Sequence, residues 1–199
     1  MELELLQAAA RLESEGQWLA LLQFSKRWTV DDPNSQLAWQ SMGNALRKLG
    51  KLEEAIPAYL KGIEVTPAYP LDYMGGVFSA GPLWFSLGSI YSEIGNHEKA
   101  IEAFLEAAKI NPNVVDIWND LGMVYINKTP QDIMAAYEAF INAINVDPKN
   151  IIVLKNLGVV YAMCGREDGV KQVHQALSDL DNIAAADFLQ KANGLLIGR

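Results

Sequence analysis

The chain has 199 residues, half of them hydrophobic and a fifth charged, with a formal net charge of −8. This is the composition of a folded protein with one sizeable core or two small ones. The acid excess argues against binding to a phosphate backbone, so no nucleic-acid partner is expected. One cysteine, Cys164, and two histidines leave no internal disulfide, no Cys-based zinc site and no expected metal or cofactor.

Taken in chain order, residues 2–30 read as a degenerate helix pair, with Gly16 at its turn and Pro33 at its end. No basic n-region of a secretory signal precedes it. No later run approaches the roughly 18 apolar residues of a membrane span. The expectation is therefore a cytoplasmic chain without membrane insertion, or a periplasmic one if a leader was removed. From residue 36 a pattern recurs. Trp39, Trp84 and Trp118 open WQSMGNALRKLG, WFSLGSIYSEIG and WNDLGMVYINKT, and LKNLGVVYAMCG starts at Leu154. Each of the first three is followed by a second run: KLEEAIPAYLKGIEVTP, NHEKAIEAFLEAAKINP and PQDIMAAYEAFINAINVDP.

The recurring places are consistent. Met42-Gly43, Leu87-Gly88, Leu121-Gly122 and Leu157-Gly158 form one column, and Leu46, Tyr91, Tyr125 and Tyr161 the next. In the second runs Ala55, Ala100, Ala136 and Val170 are aligned, then Tyr59, Phe104, Phe140 and, as a departure, His174. Pro67, Pro112 and Pro148 close the units. The pattern W-x2-L-G-x2-Y, A-x3-F/Y, P, with a period of about 34 residues, resembles the tetratricopeptide repeat family. The resemblance implies an all-α, helix-turn-helix solenoid, a right-handed superhelix of about eleven helices without strands. It also implies a single domain over 1–199, with units at 1–35 (degenerate), 36–69, 82–114, 115–149 and 150–182, and a capping helix at 183–199. Residues 70–81 are an apolar insertion.

That insertion is the large irregularity. Six residues separate Pro33 from Trp39 and Pro112 from Trp118, but seventeen separate Pro67 from Trp84. The stretch Tyr69–Gly81 is rich in aromatic and apolar residues where a solvated linker would be polar. It reads either as a loop tucked onto the helices or as a lid over a binding surface.

With each repeat Trp at place 4 of its helix, places 4, 7, 8 and 11 share a face at 100° per residue and are expected to pack on the second helix. Glycine at place 8 lowers helix propensity by about 1 kcal/mol, which suits only a close helix approach. The three repeat tryptophans, His174 and Cys164 are therefore expected to pack, and His97 and the Glu98, Glu102, Glu106 stripe to be solvated. Gly50, Gly95 and Gly165 read as helix C-caps.

Places 2, 5, 6, 9, 12 and 13 of the first helices turn away from the packing face and are expected to line a concave groove. At one end this groove offers Gln40, Ser41, Asn44, Arg47 and Lys48, then Phe85 and Ser89. At the other it offers Asn119, Met123, Ile126, Lys155, Asn156, Val159, Ala162 and Met163. Flexible Met with aliphatics suits an apolar anchor, and Asn amides suit a peptide backbone. The groove set named as candidate site is Gln40, Asn44, Arg47, Lys48, Phe85, Ser89, Asn119, Met123, Lys155, Asn156 and Val159.

One subclass of the family grips acidic tails of chaperones with a Lys/Asn/Arg carboxylate clamp. This chain departs from it, with Gln40 at the lysine place and Asp116 and Asp120 at the later basic places. The resemblance thus implies a non-catalytic scaffold for a protein or peptide partner, without that particular ligand. The alternative is an assembly factor or chaperone in bacterial secretion or pilus biogenesis. No nucleophile elbow, phosphate loop or metal-ligand cluster appears, so no enzyme is expected. Apolar residues at both ends leave room for weak self-association.

Overall fold

A computed structural model describes residues 2–66, 72–73, 76–77 and 79–197. It divides into two compact units, Met1–Ile110 and Asn111–Arg199. The first holds α1 (Glu2–Ser14), α2 (Trp18–Asp31), α3 (Gln36–Lys48), α4 (Leu52–Glu64), β1 (Asp72–Tyr73), β2 (Gly76–Val77), α5 (Gly81–Glu93) and α6 (His97–Ile110). The second holds α7 (Val115–Asn127), α8 (Ile133–Val146), α9 (Ile151–Met163), α10 (Glu167–Ser178) and α11 (Asn182–Ile197).

Glycines set four of the turns. Gly16, Gly50, Gly95 and Gly165 have φ of 67°, 74°, 77° and 67°, a region strained for residues with a Cβ. The next N–H then reaches back to a carbonyl of the last helical turn. Gln17 bonds Leu12, Lys51 bonds Leu46, Asn96 bonds Tyr91 and Arg166 bonds Tyr161, all at 2.8–2.9 Å. This satisfies carbonyls that a helix end leaves unpaired. Several other helices are capped by a side chain. Ser35 accepts from the Ala38 N–H, Asp132 from Ala135 and Asn150 from Val153. The α7–α8 connection lacks the glycine and is longer, closed by the Asp132 N–H on the Tyr125 carbonyl at 3.0 Å.

α3, α5 and α9 each touch their own second helix and a neighbouring helix, so their buried stripe is wider and displaced from the expected one. Places 3, 8 and 10 are buried throughout: Ala38, Gly43 and Ala45; Leu83, Gly88 and Ile90; Ile117, Gly122 and Val124; Val153, Gly158 and Val160. Places 4 and 11 lie mostly at the edge. Trp39, Trp84 and Trp118 are half-buried and pack against the core from its edge rather than forming its centre. The indole N–H needs an acceptor. Trp39 Nε1 donates to the Pro33 carbonyl at 2.8 Å and Trp118 Nε1 to the Pro112 carbonyl at 2.7 Å. The tryptophan that is fully inside is Trp28 of α2, packed edge-on against Phe24.

The place-8 glycines fit the close-approach argument. A Cβ on Gly43, Gly88 or Gly122 would sit 2.6–2.8 Å from the ring of Tyr59, Phe104 or Phe140. In the last unit the ring facing Gly158 is Phe188 of α11. His174, which occupies the aromatic place of α10, is only half-buried. The capping helix therefore completes this pair from outside the repeat.

Other expectations are corrected. Cys164 is exposed, at the residue that follows the last turn of α9. His97, expected to be solvated, opens α6 half-buried. Glu98 and Glu102 are exposed, and Glu106 pairs with Lys109. The insertion contains a two-residue antiparallel ladder, Asp72 opposite Val77 and Tyr73 opposite Gly76, where no strand was expected. Pro67, Tyr69, Gly75 and Phe78 lie outside the described residues. The exit of the insertion is fastened to the start of α3 by Gln36 Nε2, which donates to the Ser79 carbonyl at 3.0 Å.

Candidate binding surfaces

In the first unit, the end of α3 carries the polar part of the predicted surface. Asn44 is held from both sides: the Tyr59 hydroxyl donates to its Oδ1 at 2.7 Å, and its Nδ2 donates to Glu13 Oε1 at 3.0 Å. This relay ties α1, α3 and α4 together and satisfies a tyrosine that is fully buried. Burial pushes the Tyr59 hydroxyl pKa up, and the nearby Ser86 and Arg47 partly oppose that. Lys48 Nζ lies 5.7 Å from the centre of the Trp18 ring, within cation–π range. Glu13, Trp18, Asn44, Arg47, Lys48 and Tyr59 together line a cleft of about 210 Å³.

Sequence register found three of those six, Asn44, Arg47 and Lys48. It missed Glu13, Trp18 and Tyr59. The signal was present in part: Glu13 and Trp18 flank the Gly16 turn, which brings the end of α1 beside the start of α2. On the same helix Gln40 is half-buried, whereas Ser41 is buried and leaves the surface. On α5, Phe85 leans on Phe104, with ring centres 5.7 Å apart, and Ser89 Oγ donates to its own helix at the Phe85 carbonyl. Both are half-buried.

The second unit assembles differently. Asn156 Nδ2 donates to Asn119 Oδ1 at 2.8 Å, a bridge from α9 to α7, and Asn119 Nδ2 donates to Asp120 Oδ1 at 3.2 Å. Lys155 pairs with Asp187 of α11 at 3.0 Å, and Lys191 pairs with the same oxygen at 3.3 Å. These lysines, Lys155 first, hold the Asp187 carboxyl below its ordinary range. Met123 and Ile126 pack against the α8–α9 core, and Val159 and Met163 are half-buried. Ala162 is fully buried and is not part of a surface. A separate open hollow of about 590 Å³ lies beside Trp118, with Pro112, Asn113, Asn142, Asn145 and Val146.

Among the described residues no cluster of three or more His, Cys, Asp or Glu side chains could hold a metal ion. No described helix is long and apolar enough to cross a membrane.

The recurrent helix pair is also what comparison with known proteins finds. The tetratricopeptide repeat family profile matches residues 37–69 and 81–114. The chain thus carries tetratricopeptide repeats at these two places. Its all-α, helix-turn-helix solenoid class is shared with solved structures. A crystal structure of MamA protein is 22% identical, with a TM-score of 0.72, covering 87% of this chain and 88% of that one. YrrB, described as a TPR protein with an unusual peptide-binding site, is 19% identical, with a TM-score of 0.70, covering 92% and 88%. A tetratricopeptide repeat protein from Parabacteroides merdae is 18% identical, with a TM-score of 0.71, covering 98% and 75%. At these identities the likeness is one of fold. No curated protein sequence matches the chain closely enough to count as a relative.

Proposed function

We propose that the chain is a non-catalytic scaffold that binds a peptide or partner segment along its first helices. The observation that carries this reading is the division of those helices into two stripes. One is buried against neighbouring helices. The other keeps half-buried and exposed side chains of mixed character, with Gln40, Arg47, Lys48, Phe85 and Ser89 in the first unit and Met123, Asn156 and Val159 in the second. Mixed polar and apolar side chains on a rigid helix face give anchors for a segment's side chains and partners for its backbone. The repeat family and the peptide-binding site named for YrrB support the same reading. Lys155 and the Asn119–Asn156 bridge are already engaged within the second unit, so their contribution is to hold the surface in place.

The test is capture of a partner from lysate by the parent chain and by a variant carrying Gln40→Glu, Ser89→Glu and Val159→Glu. Circular dichroism must first show unchanged helicity. Loss of a reproducible partner in the variant is the expected result. Retention by both proteins would remove the first-helix surface from the reading. A captured exported protein that aggregates when the scaffold is absent would specify an assembly chaperone.

A further inference from the structure

We infer that the cleft at the end of α3 is a subsite for a single carboxylate on a bound peptide, taken by Arg47 and Lys48 beside the Trp18 ring. This rests on the reading of the chain as a peptide scaffold and names the group recognised at one end of that surface. Four observations carry it. First, the Tyr59–Asn44–Glu13 relay is closed within the protein, so these three groups form a wall. Second, neither Arg47 nor Lys48 has a carboxylate partner within ion-pair range among the described residues, although Arg47 is half-buried. Arg47 sits beside the Tyr59 hydroxyl and shares the cleft with Glu13 without pairing to it, and a half-buried guanidinium gains most from an anion that it can meet with two parallel N–H donors.

Third, the charges of the lining residues select the ligand. Arg47 and Lys48 supply two positive charges and Glu13 one negative, so one further negative charge neutralises the cleft. A doubly charged phosphate would leave excess charge against Glu13. Fourth, the cleft is small, about 210 Å³, a size suited to one side chain or one chain terminus. The Trp18 face beside the cations offers an apolar wall for the stem of that residue. The site differs from the family's carboxylate clamp, since Trp18 and Glu13 come from the degenerate first pair and the clamp's lysine place holds Gln40.

The experiment follows the Trp18 indole N–H in a proton–nitrogen correlation spectrum of the full chain, assigned with Trp18→Phe. Two probes distinguish the carboxylate's source: N-acetylglutamic acid α-amide for a side chain and N-acetylphenylalanine for a chain terminus. At least one is expected to shift the signal saturably in the millimolar range. The neutral N-acetylglutamine α-amide is expected to leave it unmoved. Arg47→Gln with Lys48→Gln, at the exposed end of α3, is expected to weaken binding by about tenfold or more, and Arg47→Lys by less. Equal shifts from the neutral amide, or undiminished binding by the double variant, would overturn the proposal. Inorganic phosphate binding about tenfold more tightly than either carboxylate would overturn it too, by assigning the cleft to phosphate. Failure here with loss of the partner in the Gln40, Ser89 and Val159 variant would sink the subsite and keep the scaffold. Failure of both would remove the scaffold reading as well.

Discussion

A glycine inside a helix is a loss unless something occupies the space its side chain would take. At Gly122 that space holds the Phe140 ring, 2.6 Å from where a Cβ would lie. Gly194, in α11, has nothing within 4 Å of the same point. The two positions therefore separate close packing from propensity. Gly122→Ala should destabilise the second unit by about 1–3 kcal/mol, because overpacking outweighs the propensity gained. Gly194→Ala should stabilise it by up to about 1 kcal/mol. Urea midpoints of the two variants check this, and equal shifts would show that the ring can move away at no cost. The first glycine was legible in the sequence, since place 8 recurs in four units. The ring that meets the fourth, Phe188, was not, because it lies on a helix outside the repeat and no periodicity points to it. The tryptophans misled for a related reason: a large apolar side chain suggests a core place, but the indole N–H draws Trp39 and Trp118 to backbone carbonyls at the edge.

At the scale of elements, caps and turns were the most readable features. Gly16, Gly50, Gly95 and Gly165 end helices as local chemistry requires, and the lengthened α7–α8 connection is where a glycine is missing. Contacts between helices distant in sequence were less readable. Asn44, Arg47 and Lys48 follow from helix register, but the cleft they share with Glu13 and Trp18 depends on how α1 and α2 meet α3. The link from α11 to α9 is of the same kind. Lys155 and Lys191 both hold Asp187 as a carboxylate and lower its pKa below the ordinary 3.8. A depressed carboxyl pKa stabilises the folded state above the unfolded value and ceases to do so as pH falls through the lowered value. The contribution is thus complete at neutral pH and lost in the acid range below about 3.8. Asp187→Asn should lower stability at pH 7 and make it less sensitive to acid than the parent. Denaturation series at neutral pH and near pH 3 measure the difference, and parallel pH profiles would show that the pair adds nothing.

In a stack of helix pairs each element gains its stability from its neighbours, so damage should stay near its origin. The molecule is built that way: the first unit has its own core around Leu21, Trp28, Leu46, Tyr59 and Leu87, and α9, α10 and α11 share another around Leu154, Val173, Leu177 and Phe188. Phe188 is almost fully buried and supplies the ring that His174 does not. Replacing it with alanine removes that ring and leaves a cavity facing Gly158, a loss of about 3–5 kcal/mol for a buried phenylalanine. Amide hydrogen exchange reads where this loss is felt. Phe188→Ala should accelerate exchange in α9, α10 and α11 by orders of magnitude, while α2, α3 and α4 keep the protection of the parent chain. Uniform acceleration would mean that the chain unfolds as one cooperative body. The local outcome instead implies that the carboxylate cleft at the end of α3 keeps its geometry when the far end of the chain is loosened, so ligand shifts at Trp18 should be unchanged in the same variant.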